Sequence, residues 1–134
     1  SYRSYDDQEK LFNDYVKKDG QAKAETYSAR PGYSEHQSGL AVDIGLPSGS
    51  CNLMVCMATT KEGRWLADHA HDYGFIIRYP EGKEAETGYQ FEPWHIRYVG
   101  VEVATHVYES GYTLDAYYGI TAGDYVPVAQ ATTN

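Results

Sequence analysis

Leu11, Phe12, Tyr15 and Val16 recur at helical spacing and share one face with Gln8, while the positions between them are charged or polar. The spacing predicts a helix over about Tyr5–Asp19. Ser4 would be its N-cap, Asp6 and Asp7 sit at the positive end of its dipole, Lys17 and Lys18 at the negative end, and Gly20 is the stop. A further helical turn or two is expected over 21–26, before Pro31-Gly32 turns the chain. From Gly39 to Ile44 the pattern alternates: Leu40, Val42 and Ile44 are expected in the core, Ala41 and Asp43 on the other face. A long loop over 45–59 follows. Thr59 and Glu62 have capping-box spacing for a helix reaching Tyr73, with Trp65, Leu66, His69 and Tyr73 as its stripe. Phe75–Tyr79 reads as a strand after Gly74, 81–83 as a turn, and 89–98 as a last strand region interrupted at Pro93. Helices are expected at Val101–Ser110 and Leu114–Tyr118, and 119–134 shows no period. Helices and strands are segregated, and the strands lie too close for repeated crossovers. The expected fold class is therefore α+β, a small mostly antiparallel sheet with helices packed on it.

A chain of 134 residues is one domain, here 1–118, followed by a tail over 119–134 with no role legible in it. Apolar residues at 42% and charged residues at 22% are an ordinary globular balance and exclude a disordered chain. The net charge of −8 argues against nucleic acid or an anionic lipid surface as partner. No apolar run approaches the roughly 20 residues of a membrane span. Tyr supplies 14 of the aromatic residues, which suits a groove that grips a polar substrate and suits a plain surface equally. The chain opens at Ser1 without an initiator Met or a signal-peptide pattern, so it reads as a processed or excised fragment. Cys51 and Cys56 lie five apart in a loop-like stretch; a local disulfide and a free pair both stay open, and the pair alone is half a metal site.

His36, Asp43 and the stretch Glu92-Pro93-Trp94-His95 stand out chemically. Two imidazoles and a carboxylate form a donor set typical of a catalytic zinc, which keeps its fourth position for water. His36 precedes the strand carrying outward-facing Asp43, and His95 on a neighbouring strand would complete the triad. Glu92 would then be the unligated base. Strict strand alternation puts Glu92 and His95 on opposite faces, so their convergence requires Pro93 to break the register. The competing reading makes each of these residues a cap or a hydrogen-bonded surface group. His69, His71 and His106 are read as ordinary helix residues.

The string from Ser34 to Asp43, S-E-H-Q-S-G-L-A-V-D, matches the S-x-H-x-x-G-x-A-x-D motif of the zinc D-alanyl-D-alanine carboxypeptidases. Glu92–Gly100 matches that family's second motif, built around E-x-x-H. Tyr2-Arg3-Ser4-Tyr5 with Gln8 resembles its N-terminal element, and Tyr73–Pro80 its helix-to-strand stretch. The matches run in the family's order from Tyr2 to Tyr118. They most resemble VanY-type D,D-carboxypeptidases, with the LdcB-type L,D-carboxypeptidases of tetrapeptides next.

The resemblance implies one Zn²⁺ ion on His36, Asp43 and His95, held at the sheet of a fold shared with hedgehog domains. It implies Glu92 as general base and then acid, Arg3 at the scissile carbonyl or developing oxyanion, and Ser34 and Gln8 on the terminal D-amino acid. It implies a peptidoglycan hydrolase acting outside the cytoplasmic membrane on stem peptides, and a monomer is expected. Endopeptidase cleavage as in lysins, and a zinc-stabilised binding module, are the rival readings; an intact Glu92 speaks against the module. The cysteine-bearing loop over 45–59 lies outside the family's pattern.

Overall fold

Ser4 starts the first helix: its hydroxyl accepts the Asp7 backbone N–H at 3.1 Å. In the computed structural model, which describes residues 1–120, α1 runs over Tyr5–Asp19 and ends where Gly20 takes φ +82°. Gln8 and Phe12 are its buried residues, so the apolar stripe read from the sequence is the face it turns inward. A short α2 follows at Gln21–Ala24 and packs back on α1.

The sheet has three short strands, β1 (Ala41–Asp43), β2 (Phe75–Ile77) and β3 (His95–Tyr98), in the order β1-β3-β2 with both pairings antiparallel. Asp43 stands opposite His95, Ala41 opposite Arg97, and Ile76 opposite Arg97 on the other side. Side chains alternate between the faces of a strand. Val42, Phe75, Ile77 and Ile96 therefore lie on one face, and there they join Met57, Leu66, Ala70 and Trp94 in the main core. Ile76 lies on the other face, in a second cluster with Ala104, Val107 and Leu114.

Those two clusters are covered by different helices. α3 (Lys61–His69) supplies Leu66, and a 3₁₀ turn at Ala70–Tyr73 supplies Ala70. After a one-turn α4 (Glu84–Thr87) and β3, α5 (Val101–Ser110) and α6 (Leu114–Tyr118) supply the second cluster. α5 and α6 match the expected bounds.

Several expectations shift. Leu40 lies just ahead of β1 and is 41% exposed, while Ala41 is buried where the Ser1 backbone nitrogen donates to its carbonyl at 2.9 Å. Thr60, not Thr59, caps α3, accepting Gly63 N–H at 2.9 Å; Thr59 donates instead to the Cys56 carbonyl. Trp65 and Tyr73 are exposed, so the aromatic stripe of α3 faces solvent and Leu66 alone of that set is buried. The loop over 45–59 ends in a 3₁₀ helix at Val55–Thr59 and is closed by a Cys51–Cys56 disulfide. Residues 89–94 are irregular, and the strand begins only at His95. From residue 121 the expected tail lies outside the described residues.

Candidate active site

The outward face of β1 and β3 carries Asp43 and His95 side by side, and a 3₁₀ turn at Glu35–Ser38 brings His36 over them. That turn is tied to the start of the chain. Arg3 N–H donates to the His36 carbonyl at 3.1 Å, and the His36 Nδ1 lies 2.9 Å from the Ser1 carbonyl oxygen. A carbonyl partner there makes Nδ1 the donor and leaves Nε2 with its lone pair inward. His36 Nε2 stands 3.3 Å from Asp43 Oδ2, and His95 Nδ1 stands 3.4 Å from Asp43 Oδ1. One ligand atom from each of the three residues lies within 4.8 Å of the others.

Asp43 Oδ1 is buried with no hydrogen-bond partner, a costly state for a carboxylate oxygen unless a cation completes it. Two ring nitrogens and one carboxylate oxygen suit zinc, which accepts four ligands and leaves one position open with this set. The residues present fit the ion. Burial pushes the Asp43 carboxyl up, but His36 and His95 outweigh it and hold the group well below the usual carboxylate range. For His95, burial pulls the imidazole down, and Asp43, Glu35 and Glu92 outweigh it to raise it to about 9.

Glu92 reaches the same point by a turn rather than a strand. Residues 92–95 form a turn closed by His95 N–H donating to the Glu92 carbonyl at 3.1 Å. Glu92 N–H donates to the Tyr79 carbonyl at 3.0 Å, which fixes the other side. The register difficulty therefore does not arise, because the two residues do not share a strand. Glu92 Oε2 lies 3.7 Å from His95 Nδ1 and the side chain is almost wholly buried. Burial pushes its carboxyl up, His95 opposes and Asp43 adds, to about 7.

These groups floor a cleft of about 160 Å³ whose lining also includes Arg3, Gln8, Ser34, Leu53 and Trp94. Arg3 Nη1 donates to Gln8 Oε1 at 2.8 Å, and Arg3 Nη2 lies 3.9 Å from Asp43 Oδ2. Gln8 is buried and spends its amide on the Ala29 carbonyl at 2.6 Å, so in this state it positions Arg3. Ser34 precedes the 3₁₀ turn without capping it through its side chain. Leu53 comes from the disulfide-closed loop, with Cys51 and Leu53 both at positive φ, +56° and +54°. Tyr33 and Tyr98 are exposed and do not line the cleft; Trp94 does.

The sequence reading missed Glu35, Arg78 and Arg97. Glu35 Oε1 accepts from Arg78 Nε at 2.8 Å and lies 2.9 Å from Arg97 Nη1. Burial pushes its carboxyl up, while His95, Arg78 and Arg97 pull it down to about 2. Tyr79 and Tyr89 stack at 4.5 Å between ring centroids, and Tyr79 also meets the His95 ring at 5.1 Å. An acidic residue beside a candidate ligand was the one available signal, and it did not say which way the side chain turns.

The model of the VanY D-alanyl-D-alanine carboxypeptidase family matches residues 1–101. The putative carboxypeptidase YodJ of Bacillus subtilis is 46% identical over 117 residues, 87% of this chain and 43% of that protein. The solved L,D-carboxypeptidase DacB of Streptococcus pneumoniae superposes with a TM-score of 0.80 at 53% identity, covering 94% of this chain and 65% of that one. A vancomycin-resistance D,D-pentapeptidase VanY variant, solved with Zn(II), gives a TM-score of 0.77 at 38% identity, covering 87% and 67%. The chain spans between 34% and 65% of the length of the curated relatives it matches.

Proposed function

The chain belongs to the VanY family of D-alanyl-D-alanine carboxypeptidases, and on that footing we propose that it is a zinc carboxypeptidase releasing the C-terminal D-alanine of peptidoglycan stem peptides. Its place of action is then outside the cytoplasmic membrane. No helix among the described residues is long and apolar enough to cross a membrane. The observation that carries the reading is the convergence of His36, Asp43 and His95 with a buried Glu92 3.7 Å from the last of them. A purely structural zinc site has no use for that fourth, unligated carboxylate.

His36, Asp43 and His95 would hold one zinc ion, which when bound supplies Lewis acidity and makes a water acidic enough to ionise near neutral pH. Glu92 takes a proton from the attacking water and returns it to the leaving amine, a task suited to a buried carboxyl 3.7 Å from His95 Nδ1. Arg3 meets the negative charge that grows on the carbonyl oxygen, and its hydrogen bond to Gln8 aims it beforehand. Ser34 holds the terminal D-amino acid, Gln8 acts on it through Arg3, and Leu53 offers the apolar wall.

A second reading concerns the bond. The family model favours cleavage between two D-alanines, while the 53% identity to the DacB L,D-carboxypeptidase favours release of D-alanine from a tetrapeptide. The two are separated by incubating the zinc-loaded chain with a pentapeptide ending in Lys-D-Ala-D-Ala and, in parallel, a tetrapeptide ending in Lys-D-Ala. Mass spectrometry should find loss of one alanine from the pentapeptide, abolished by chelator. Loss from the tetrapeptide alone supports the L,D reading, and two intact peptides overturn both.

A further inference from the structure

Two buried polar atoms at the site face each other with no hydrogen-bond partner: Glu35 Oε2 and His95 Nε2. They stand 3.5 Å apart, at the edge of hydrogen bonding. We propose that Glu35 is a positioning residue: its Oε2 accepts a hydrogen bond from His95 Nε2–H and so fixes His95 with Nδ1 as the ligand atom. This rests on the zinc-site reading above.

The geometry favours this role over a simple ion pair. Both guanidinium contacts, from Arg78 Nε at 2.8 Å and Arg97 Nη1 at 2.9 Å, fall on Oε1 and leave Oε2 turned to the imidazole. His95 Nδ1 already faces Asp43 and Glu92, so Nε2 is the nitrogen left for an orienting partner. A ligating histidine whose other N–H meets a carboxylate has its ring orientation set and its basicity raised. Glu35 is adjacent to His36, so one 3₁₀ turn supplies one ligand and the brace of another.

The brace has its own support. Arg78 Nη1 and Nη2 donate to Asp115 at 2.5 and 3.1 Å, and both residues are buried. Asp115 belongs to α6, beyond the residues 1–101 that the family model matches. A row of contacts thus runs from α6 through Arg78 and Glu35 to His95.

The test measures zinc dissociation constants by competition with a chromophoric chelator, on the purified full chain and on variants whose folding is checked by near-ultraviolet circular dichroism. Glu35→Ala should weaken zinc binding about 10- to 100-fold. Glu35→Gln, which keeps an acceptor but no charge, should weaken it less. Glu109→Gln, at an exposed position of α5 outside the cleft lining, should leave it unchanged. In zinc-loaded protein with ¹⁵N-labelled histidine, the His95 Nε2 proton should be protected from exchange, and the protection should vanish in Glu35→Ala. If Glu35→Ala is too unstable to purify, Glu35→Leu, which removes the acceptor at similar volume, carries both readouts. Folded Glu35 variants with wild-type zinc affinity and an unchanged Nε2 proton would overturn the proposal alone. A wild-type chain that takes up no zinc would overturn the metal site, and this role with it.

Discussion

Arg78→Met removes a cation from between two buried carboxylates. Arg78 is 5% exposed and Asp115 1%, with Glu35 also largely sheltered, so little solvent screens these contacts. Removing one partner of a buried ion pair costs about 3–5 kcal/mol, because a charge is left desolvated. Two features of this site pull the value toward the lower end: Glu35 keeps Arg97 at 2.9 Å, and the thioether refills most of the volume. We expect a loss of about 3 kcal/mol. For a domain of this size that lowers the melting temperature by roughly 12 °C. Urea unfolding of wild type and variant, followed by tryptophan fluorescence, reads the difference directly, with an unchanged denaturant slope as the check on two-state behaviour. Adding Asp115→Leu should recover part of the loss, since an apolar pair tolerates burial better than a carboxylate that has lost its cation. A loss below about 1 kcal/mol, the scale of exposed ion pairs, would mean that Arg78 bridges no desolvated charges.

Glu92→Gln should keep zinc and lose turnover by about 10²- to 10⁴-fold, measured as D-alanine release alongside metal analysis; near-normal turnover would remove Glu92 from proton transfer. Gly63→Ala should destabilise by about 3 kcal/mol in the same urea assay, because the added Cβ would stand 1.9 Å from the Met57 carbonyl oxygen. A neutral result would mean the α3 start can shift at no cost. Replacing Cys51 and Cys56 together by Ser should cost about 2 kcal/mol or less, the closure term of so short a loop. It should also raise KM more than it lowers kcat, since Leu53 loses its fixed position on the cleft; an unchanged KM would detach that loop from substrate binding.

The parts of the fold governed by local chemistry were legible. Ser4 and Gly20 bound α1 at the positions their side chain and φ value require, and α5 and α6 fall at the bounds the pattern predicts. The convergence of His36, Asp43, His95 and Glu92 at one point of the fold was readable because donor chemistry and motif agreed. What stayed hidden depends on contacts far apart in the chain. Glu35 and Arg78 are separated by 43 residues, and Arg78 and Asp115 by 37, so no local pattern announces either pair. The 89–94 stretch looked like strand because its aromatics have β propensity, but Pro93 and the Glu92–His95 turn take that backbone out of the ladder. Trp65 and Tyr73 fitted a helical stripe, yet the core beneath α3 is filled by Leu66, Ala70 and Met57 and leaves them in solvent.

Whether His36, Asp43 and His95 together hold one zinc ion is read by anomalous diffraction at the zinc edge from crystals of the zinc-loaded protein. A single peak is expected, bonded to His36 Nε2, His95 Nδ1 and an Asp43 carboxylate oxygen at about 2.0–2.2 Å, with Glu92 close by and outside the bonded set. A peak elsewhere, a site completed by Glu92, or a loaded protein with no peak at these three residues would contradict that assignment.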